Sequence, residues 1–337
     1  MALGVANNIT FEAYNGTTLV SSSSLSTLLN LDLLGLLENG DIAAVPFDVG
    51  GAADRVVVRL SSLLGVNIAQ SLDFHDIAIK ANIGEVVLEV SNISVKDDLD
   101  VMKVKNISFQ LKKGEILGLA GVTGNGQTEL LEAITGIRNL ESGEIKLEGE
   151  VVSGNNIFLN PRELREKEIS HVPEDRQRMG LVTEFNASEN IIFGYHYKAP
   201  FSKSSILMGS NIFQHSKNIM KEYDVRPQSP FLKTSNFSGG NQQKIILSRE
   251  LNKDPKVLLV GQPTRGVDIG AIEFIHQRII DMREKGAAIL LVSVELDEIL
   301  SLSDRIVVMF DGSLVGEKDN KNVSDREIGL LMAGITS

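Results

Sequence analysis

Phosphate chemistry is the first thing this sequence offers. The stretch Gly121-Val122-Thr123-Gly124-Asn125-Gly126-Gln127-Thr128 keeps the first and last glycines and the hydroxyl of a G-x-x-x-x-G-K-[ST] loop. In such a loop the glycines let successive backbone N–H groups close around phosphate oxygens, and the hydroxyl reaches Mg²⁺. Gly121, Gly124, Asn125, Gly126, Gln127 and Thr128 are therefore the candidate phosphate contacts. Gln127 stands where the motif has lysine. Its amide donates a hydrogen bond but brings no charge, and charge-assisted bonds are about twice as strong. Other chemistries find little support. The chain has no cysteine, which removes thiolate ligands and nucleophiles together. Its five histidines, at 75, 171, 196, 215 and 276, lack metal-type spacing.

Positioning such a loop requires a strand before it and a helix after it. Gly114–Ala120 reads as a short apolar strand and Thr128–Thr135 as the helix, whose N-terminus adds partial positive charge. Val86–Val95, Asn106–Leu111 and Glu144–Leu147 cluster or alternate β-branched and apolar residues, as in an antiparallel sheet. Residues 180–252 are richer in helix-like segments. Strands at Val257–Val260, Ala287–Ser293 and Arg305–Phe310 then alternate with helices at Ala271–Glu284 and Glu295–Ser301. That alternation predicts an α/β core with a largely parallel sheet.

Three further segments follow in order: Phe237-Ser238-Gly239-Gly240-Asn241-Gln242-Gln243-Lys244, Leu258–Asp268 and Leu291–Leu296. With them, residues 85–336 resemble the ATP-binding domain of ABC transporters. Gly124–Gln127, Ser238–Lys244 and Gln262-Pro263-Thr264-Arg265-Gly266 are similar to the second ATPase half of the simple-sugar and nucleoside importers. The resemblance implies a P-loop ATPase core, an antiparallel β subdomain and a helical subdomain carrying the signature. It implies that Ser238, Gly239, Gly240, Asn241 and Gln242 act on a partner's ATP, with Asp268 at the dimer interface. The implied cofactors are ATP and Mg²⁺. The implied partners are a complete ABC ATPase half or second ATP-binding subunit, a membrane permease met through Val182–Tyr195 and, indirectly, a solute-binding protein.

Departures from the family pattern concentrate at the chemistry. Gly261 stands where full sites have an aspartate that holds Mg²⁺ through its water. Gln262 stands where a glutamate polarises the attacking water, and an amide cannot act as a general base. Val294 replaces a histidine that contacts the γ-phosphate. Glu174 replaces the glutamine linking Mg²⁺ to the helical subdomain, although a glutamate there can still approach the ion. Ser94–Met102 has no aromatic residue to stack adenine. Thr128 is thus left as the expected Mg²⁺ ligand, holding the ion weakly, and the chain's own site is expected to be catalytically degenerate. Arg176 and Arg178 are read as solvated rather than phosphate-bound, and the acidic Glu295, Asp297 and Glu298 as a solvated helix start.

Composition sets the outer bounds. Lys and Arg number 33 against 44 Asp and Glu, a net charge of −11, which opposes a dedicated nucleic-acid binder. No apolar run reaches the ~20 residues that span a bilayer, and the first ten residues lack a signal-peptide pattern. A cytoplasmic protein peripheral at the inner face of the cell membrane is expected. Charged residues rise from about 13% before residue 85 to about 26% after it. Residues 1–84 are accordingly read as a short N-terminal segment, an eroded remnant of a first ATPase half. Within it, Ser21–Ser24 reads as a loop and Leu25–Leu37 as a short buried helix. Ala53–Val58 faintly echoes Ser303–Val308. Three functions are compatible: an importer's ATP-binding component contributing its signature to a partner half, a nucleotide-sensing or scaffolding module without turnover, and a truncated, non-functional chain.

Overall fold

Period-two alternation in the apolar strands builds the core. The computed structural model describes residues 9–15, 18–24, 55–60, 83–320 and 323–335, and the chain divides into two units, residues 1–79 and 80–337. In the second unit, β6 (Ile116–Ala120), β10 (Ile169–Val172), β13 (Val257–Gly261), β14 (Ala288–Ser293) and β15 (Arg305–Phe310) run parallel, with β16 (Ser313–Asp319) antiparallel at one edge. The order is β10-β13-β14-β6-β15-β16. Leu117 and Leu119, Val257 and Leu259, Leu290 and Val292, and Val307 and Met309 enter one apolar core. Their neighbours Ile116 and Ala120, Leu258 and Val260, Ile289 and Leu291, and Ile306 and Val308 enter the other. Alternate side chains of a strand point to opposite faces, so an unbroken apolar run is what a sheet covered on both sides demands.

The two covers differ. On one face, an antiparallel sheet of β4 (Val86–Lys96), β5 (Met102–Lys112), β7 (Ser142–Leu147), β8 (Glu150–Gly154) and β9 (Ile157–Phe158), ordered β5-β4-β7-β8-β9, shares its core with α1 (Gln127–Ile134) and α2 (Pro161–Glu166). The other core takes α3 (Ala187–Ile192), α4 (Gly209–Glu222), α5 (Gly239–Leu251), α6 (Ile269–Glu284), α7 (Leu296–Leu302) and α8 (Asp325–Met332). Residues Ser202–Lys203 (β11) and Ile206–Leu207 (β12) form a small hairpin before α4.

In the first unit, β1 (Ile9–Asn15), β2 (Thr18–Ser24) and β3 (Arg55–Leu60) form an antiparallel sheet in the order β2-β1-β3. This corrects the reading of Ser21–Ser24 as a loop. Ser21, Ser22, Ser23 and Ser24 pair with Ala13, Glu12, Phe11 and Thr10, and the ladder satisfies backbone groups that a loop would leave to water. The expected helix over Leu25–Leu37 and the isolated His75 lie outside the described residues. The echoed segments both become strands opening on arginine, Arg55 and Arg305. Their settings differ, because β3 pairs antiparallel with β1 while β15 pairs parallel with β6.

Candidate nucleotide site

Strand register assembles the site. Val172 of β10 pairs with Val260 of β13, Gly261 with Val292 of β14, and Ser293 with Ala120 of β6. The residues just beyond these strand ends are Glu174, Gln262, Val294 and the loop from Gly121, so four separate segments arrive at one edge of the sheet. Ligand sites of parallel α/β sheets lie at this C-terminal edge.

The loop from Gly121 to Thr128 is shaped by glycine in two ways. Gly124 has φ +93° with open space around it, whereas a Cβ on Gly126 (φ +107°) would fall 2.2 Å from the Lys103 carbonyl of β5. Gly126 is also the N-cap of α1, which has no side-chain cap, so its first-turn N–H groups are left for an anion. Asn125 ties the loop to the β15–β16 turn, its Oδ1 accepting from the Asp311 N–H at 3.1 Å and its carbonyl from the Gly312 N–H at 3.0 Å. Gln127 is buried, and its Nε2 donates to the Val122 carbonyl at 3.1 Å. The amide therefore braces the loop from inside.

Thr128 is exposed, and its Oγ1 donates to Glu174 Oε2 at 2.6 Å. Burial pushes the Glu174 carboxyl up, and the Thr128 bond offsets part of that shift. Gly261 is buried beside it. Gln262, at φ +46°, points its carboxamide oxygen toward the Val294 N–H at 3.4 Å, and its own N–H donates to the Val292 carbonyl at 2.8 Å. Both altered positions are thus turned toward each other. Neither carries a group that takes a proton at neutral pH.

The signature occupies a second helix start. Ser238 caps the 13-residue α5, accepting from the Asn241 N–H at 3.4 Å and from Asn241 Nδ2 at 2.9 Å. Asn241 Oδ1 accepts from the Arg226 N–H at 2.7 Å, and Gln242 Nε2 donates to the carbonyls of Thr234 and Phe237. Asp268 caps α6 by accepting from the Ala271 N–H at 2.9 Å, and its Oδ2 lies 3.0 Å from where a Cβ on Gly240 would sit.

Two readings from sequence change here. Arg176 is engaged: its Nη1 donates to the Arg265 carbonyl at 2.6 Å and its Nη2 to Gly266 at 3.3 Å, beside Gly239. Arg178 is exposed as expected. Glu298 is buried, because His276 Nε2 meets its carboxylate at 2.9 Å across the gap between α6 and α7. Sequence reasoning also passed over the buried group behind the signature helix. Glu250 Oε1 accepts from Arg249 Nε at 2.7 Å and Arg165 Nη1 at 3.2 Å. Arg249 Nη1 in turn donates to the Gly180 carbonyl at 2.9 Å. Burial alone would push Glu250 up; the two guanidiniums outweigh it and hold the carboxyl below its usual range. His171, next to them, is pushed down to about 4 by burial, against the pull of Glu250. The only sequence signal for this group was an adjacent Arg-Glu pair shortly after the apolar run Ile245-Ile246-Leu247.

Thr128 and Glu174 fit a hard divalent cation, since both offer oxygen and Mg²⁺ takes few protein ligands besides phosphates and water. Among the described residues no group of three or more His, Cys, Asp or Glu side chains could hold a metal by itself. Likewise, no helix among the described residues is long and apolar enough to cross a membrane.

Residues 104–265 match the ABC transporter family model. The chain is 43% identical over 281 residues to the nucleoside import ATP-binding protein NupA of Lactococcus lactis subsp. cremoris, covering 83% of this chain and 54% of that protein. It is 41% identical to the guanosine import ATP-binding protein NupO of Bacillus subtilis, covering 82% and 53%. The chain thus spans about half the length of these relatives. In fold it resembles the crystal structure of a nucleotide-free ATP-binding cassette from an ABC transporter, with a TM-score of 0.60, 21% identity, and coverage of 74% of this chain and 96% of that one. Motif geometry, family match and relatives agree: the chain belongs to the ABC-transporter ATP-binding proteins and is similar to nucleoside import members of that family.

Proposed function

We propose that this chain is the ATP-binding component of a nucleoside- or sugar-type importer, one that serves hydrolysis at a complete partner half while its own site is catalytically degenerate. Gln262 carries this reading. It stands at the position of the base, and its carboxamide is turned toward the Val294 N–H. With Gln127 bracing its own loop, the site would bind ATP through backbone N–H groups and one hydroxyl and turn it over poorly. Mg²⁺, where bound, screens phosphate charge; Thr128 is the hydroxyl that would meet it, weakly. In the head-to-tail dimer that family resemblance implies, the partner's ATP would instead meet Ser238, Gly239 and Gly240, with Asp268 at the interface. Backbone N–H groups and one hydroxyl there would stabilise charge on the γ-phosphate.

The proposed partners are a complete ABC ATPase half or second ATP-binding subunit, a permease and, through it, a solute-binding protein. Nucleoside import is favoured because both relatives described above carry nucleoside names. The proposed permease contact is Val182–Tyr195, where Phe185 and Phe193 are exposed and meet edge-on at 6.4 Å. This assembly would hold the chain at the cytoplasmic face of the membrane. Residues 85–336 are the proposed ATP-binding domain, and residues 1–84 a remnant of a first half. The 281-residue match to NupA is longer than the stretch following residue 84, so the likeness continues upstream of that boundary.

The test is a reconstituted complex containing a complete half. Ser238→Arg should abolish ATPase activity, since losing one preorganised donor typically costs about 10²–10³ in rate. Thr128→Ala should change it far less, and the chain alone should stay below about one turnover per second, the low end of ordinary enzymes. Equal losses from the two variants would show that this chain's own site carries the reaction.

A further inference from the structure

Residues 190–221 contain no Asp or Glu and four lysines, in a chain that carries 44 acidic residues in 337. At that frequency a stretch of this length would hold about four acidic residues. Its tip is the hairpin of β11 and β12, in which Ser202 pairs with Leu207 and Lys203 with Ile206. The two turn residues, Ser204 (φ +50°) and Ser205 (φ +65°), are both in the left-handed region, as a type I′ hairpin turn requires. The base is fixed. Phe201 is buried, its carbonyl accepts from the Met208 N–H at 2.8 Å, and the N–H groups of Phe201 and Ser202 donate to the Lys198 carbonyl at 2.9 and 3.1 Å. The tip is bare, with Ile206 69% and Leu207 55% exposed. Lys198 Nζ lies 5.8 Å from the centre of the Tyr197 ring, which also carries the Arg162 guanidinium at 4.0 Å. The acidic group near Lys198 is Glu166, already shared between Arg162 at 3.5 Å and the Tyr197 hydroxyl at 2.9 Å.

We propose that this hairpin is a membrane contact: Lys198, Lys203 and Arg162 meet the phosphate headgroups of an anionic bilayer, and Ile206 and Leu207 enter the interface between them. Exposed apolar side chains are common singly. Here two adjacent ones sit in a basic, acid-free setting, the combination that interfacial segments use, with a tyrosine suited to headgroup level. Charge decides the occupant. Cytoplasmic loops of membrane proteins carry an excess of Lys and Arg, so a basic hairpin is poorly matched to a permease loop. The cytoplasmic leaflet is negative and attracts basic segments. The chain as a whole, at −11, is repelled by such a surface, so binding to it has to come from a local patch. The hairpin also follows directly on Val182–Tyr195, the proposed permease contact. The proposal rests on the reading that the chain works at the membrane face, and it adds a lipid foothold beside the permease one.

Sedimentation of the full chain with lipid vesicles tests this without a permease. Expected is binding to vesicles of phosphatidylcholine mixed with phosphatidylglycerol, far weaker binding to phosphatidylcholine alone, and release by salt. Lys198→Ala with Lys203→Ala should weaken binding about 25-fold, at about fivefold for each basic residue near the surface. Ile206→Ser with Leu207→Ser should weaken it as well while the salt dependence persists; both side chains are exposed, so the core is untouched. Lys285→Ala with Lys318→Ala removes the same charge from other elements and should change binding by less than about twofold. Equal binding to both vesicle types, equal losses from the two lysine pairs, or no binding at all overturns the lipid contact. Absent vesicle binding together with lost ATPase activity from the hairpin variants in a detergent-solubilised complex would assign the hairpin to the permease instead. The importer reading is tested separately by Ser238→Arg in that complex and survives a failure here.

Discussion

Glu250→Ala is expected to be among the most damaging single changes in the domain. The carboxylate has no solvent exposure, and it is shared by Arg249, 4% exposed, and Arg165, 23% exposed. Removing it leaves two guanidiniums without their counterion. Arg165 can turn toward water; Arg249 is enclosed and still held by the Gly180 carbonyl. Breaking a buried pair from one side costs about 3–5 kcal/mol. For a domain of this size each kcal/mol lowers the melting temperature by roughly 2–4 °C, so the drop should be roughly 6–20 °C. Thermal unfolding followed by circular dichroism measures it. The companion variant Arg249→Met with Glu250→Leu removes both enclosed charges and should recover most of the loss, since well-packed apolar replacements of buried pairs are often neutral. Two results would refute the reasoning: a single-variant drop below about 2 °C, or a double variant no better than the single.

Two further outcomes are expected. His171 is held neutral by burial, with its pKa near 4 in the fold against about 6.5 when unfolded. Its contribution is therefore complete above about pH 6.5 and lost as pH falls toward 4, on the order of 2–3 kcal/mol. His171→Gln should flatten that part of the stability–pH curve, and an unchanged slope would remove His171 as its cause. Limited proteolysis should release a stable fragment beginning near Asn82–Glu85; if cleavage there collapses the nucleotide-binding fold, the boundary at 85 is misplaced.

Elements whose signal is local were legible in the sequence. The loop at 121–128 announces itself through glycine spacing, and the central strands through runs such as Val257–Val260, apolar enough to be covered on both faces. Ile169–Val172 carried no such signal, being four residues long with Ser170 and His171 inside it; only pairing with β13 makes it a strand. The missed contacts are long-range. Glu174 and Gly261 meet through strand register, and Glu298 finds His276 22 residues earlier. A charge read in its own neighbourhood looks solvated when its partner comes from another helix. Ser21–Ser24 failed for a related reason: serine's turn preference is weak, and a ladder partner overrides it.

The surroundings of the signature glycines bear on how such a chain drifts over generations. A Cβ on Gly239 would stand 2.7 Å from Arg176 Nη2 and 2.9 Å from the Gly266 carbonyl, and one on Gly240 3.0 Å from Asp268 Oδ2 and 3.1 Å from Ala271 Cβ. Crowding against the Gly266 carbonyl keeps position 239 glycine whether or not a phosphate ever arrives, whereas at 240 the Asp268 and Ala271 side chains need give by only a few tenths of an ångström. Ser238 is under no such constraint, because Thr, Asn or Asp would cap α5 about as well. Descendants released from ATP chemistry should therefore retain glycine at 239 and scatter at 238. Descendants still serving a partner's ATP should hold serine there, so the imprint of function is concentrated in a single hydroxyl.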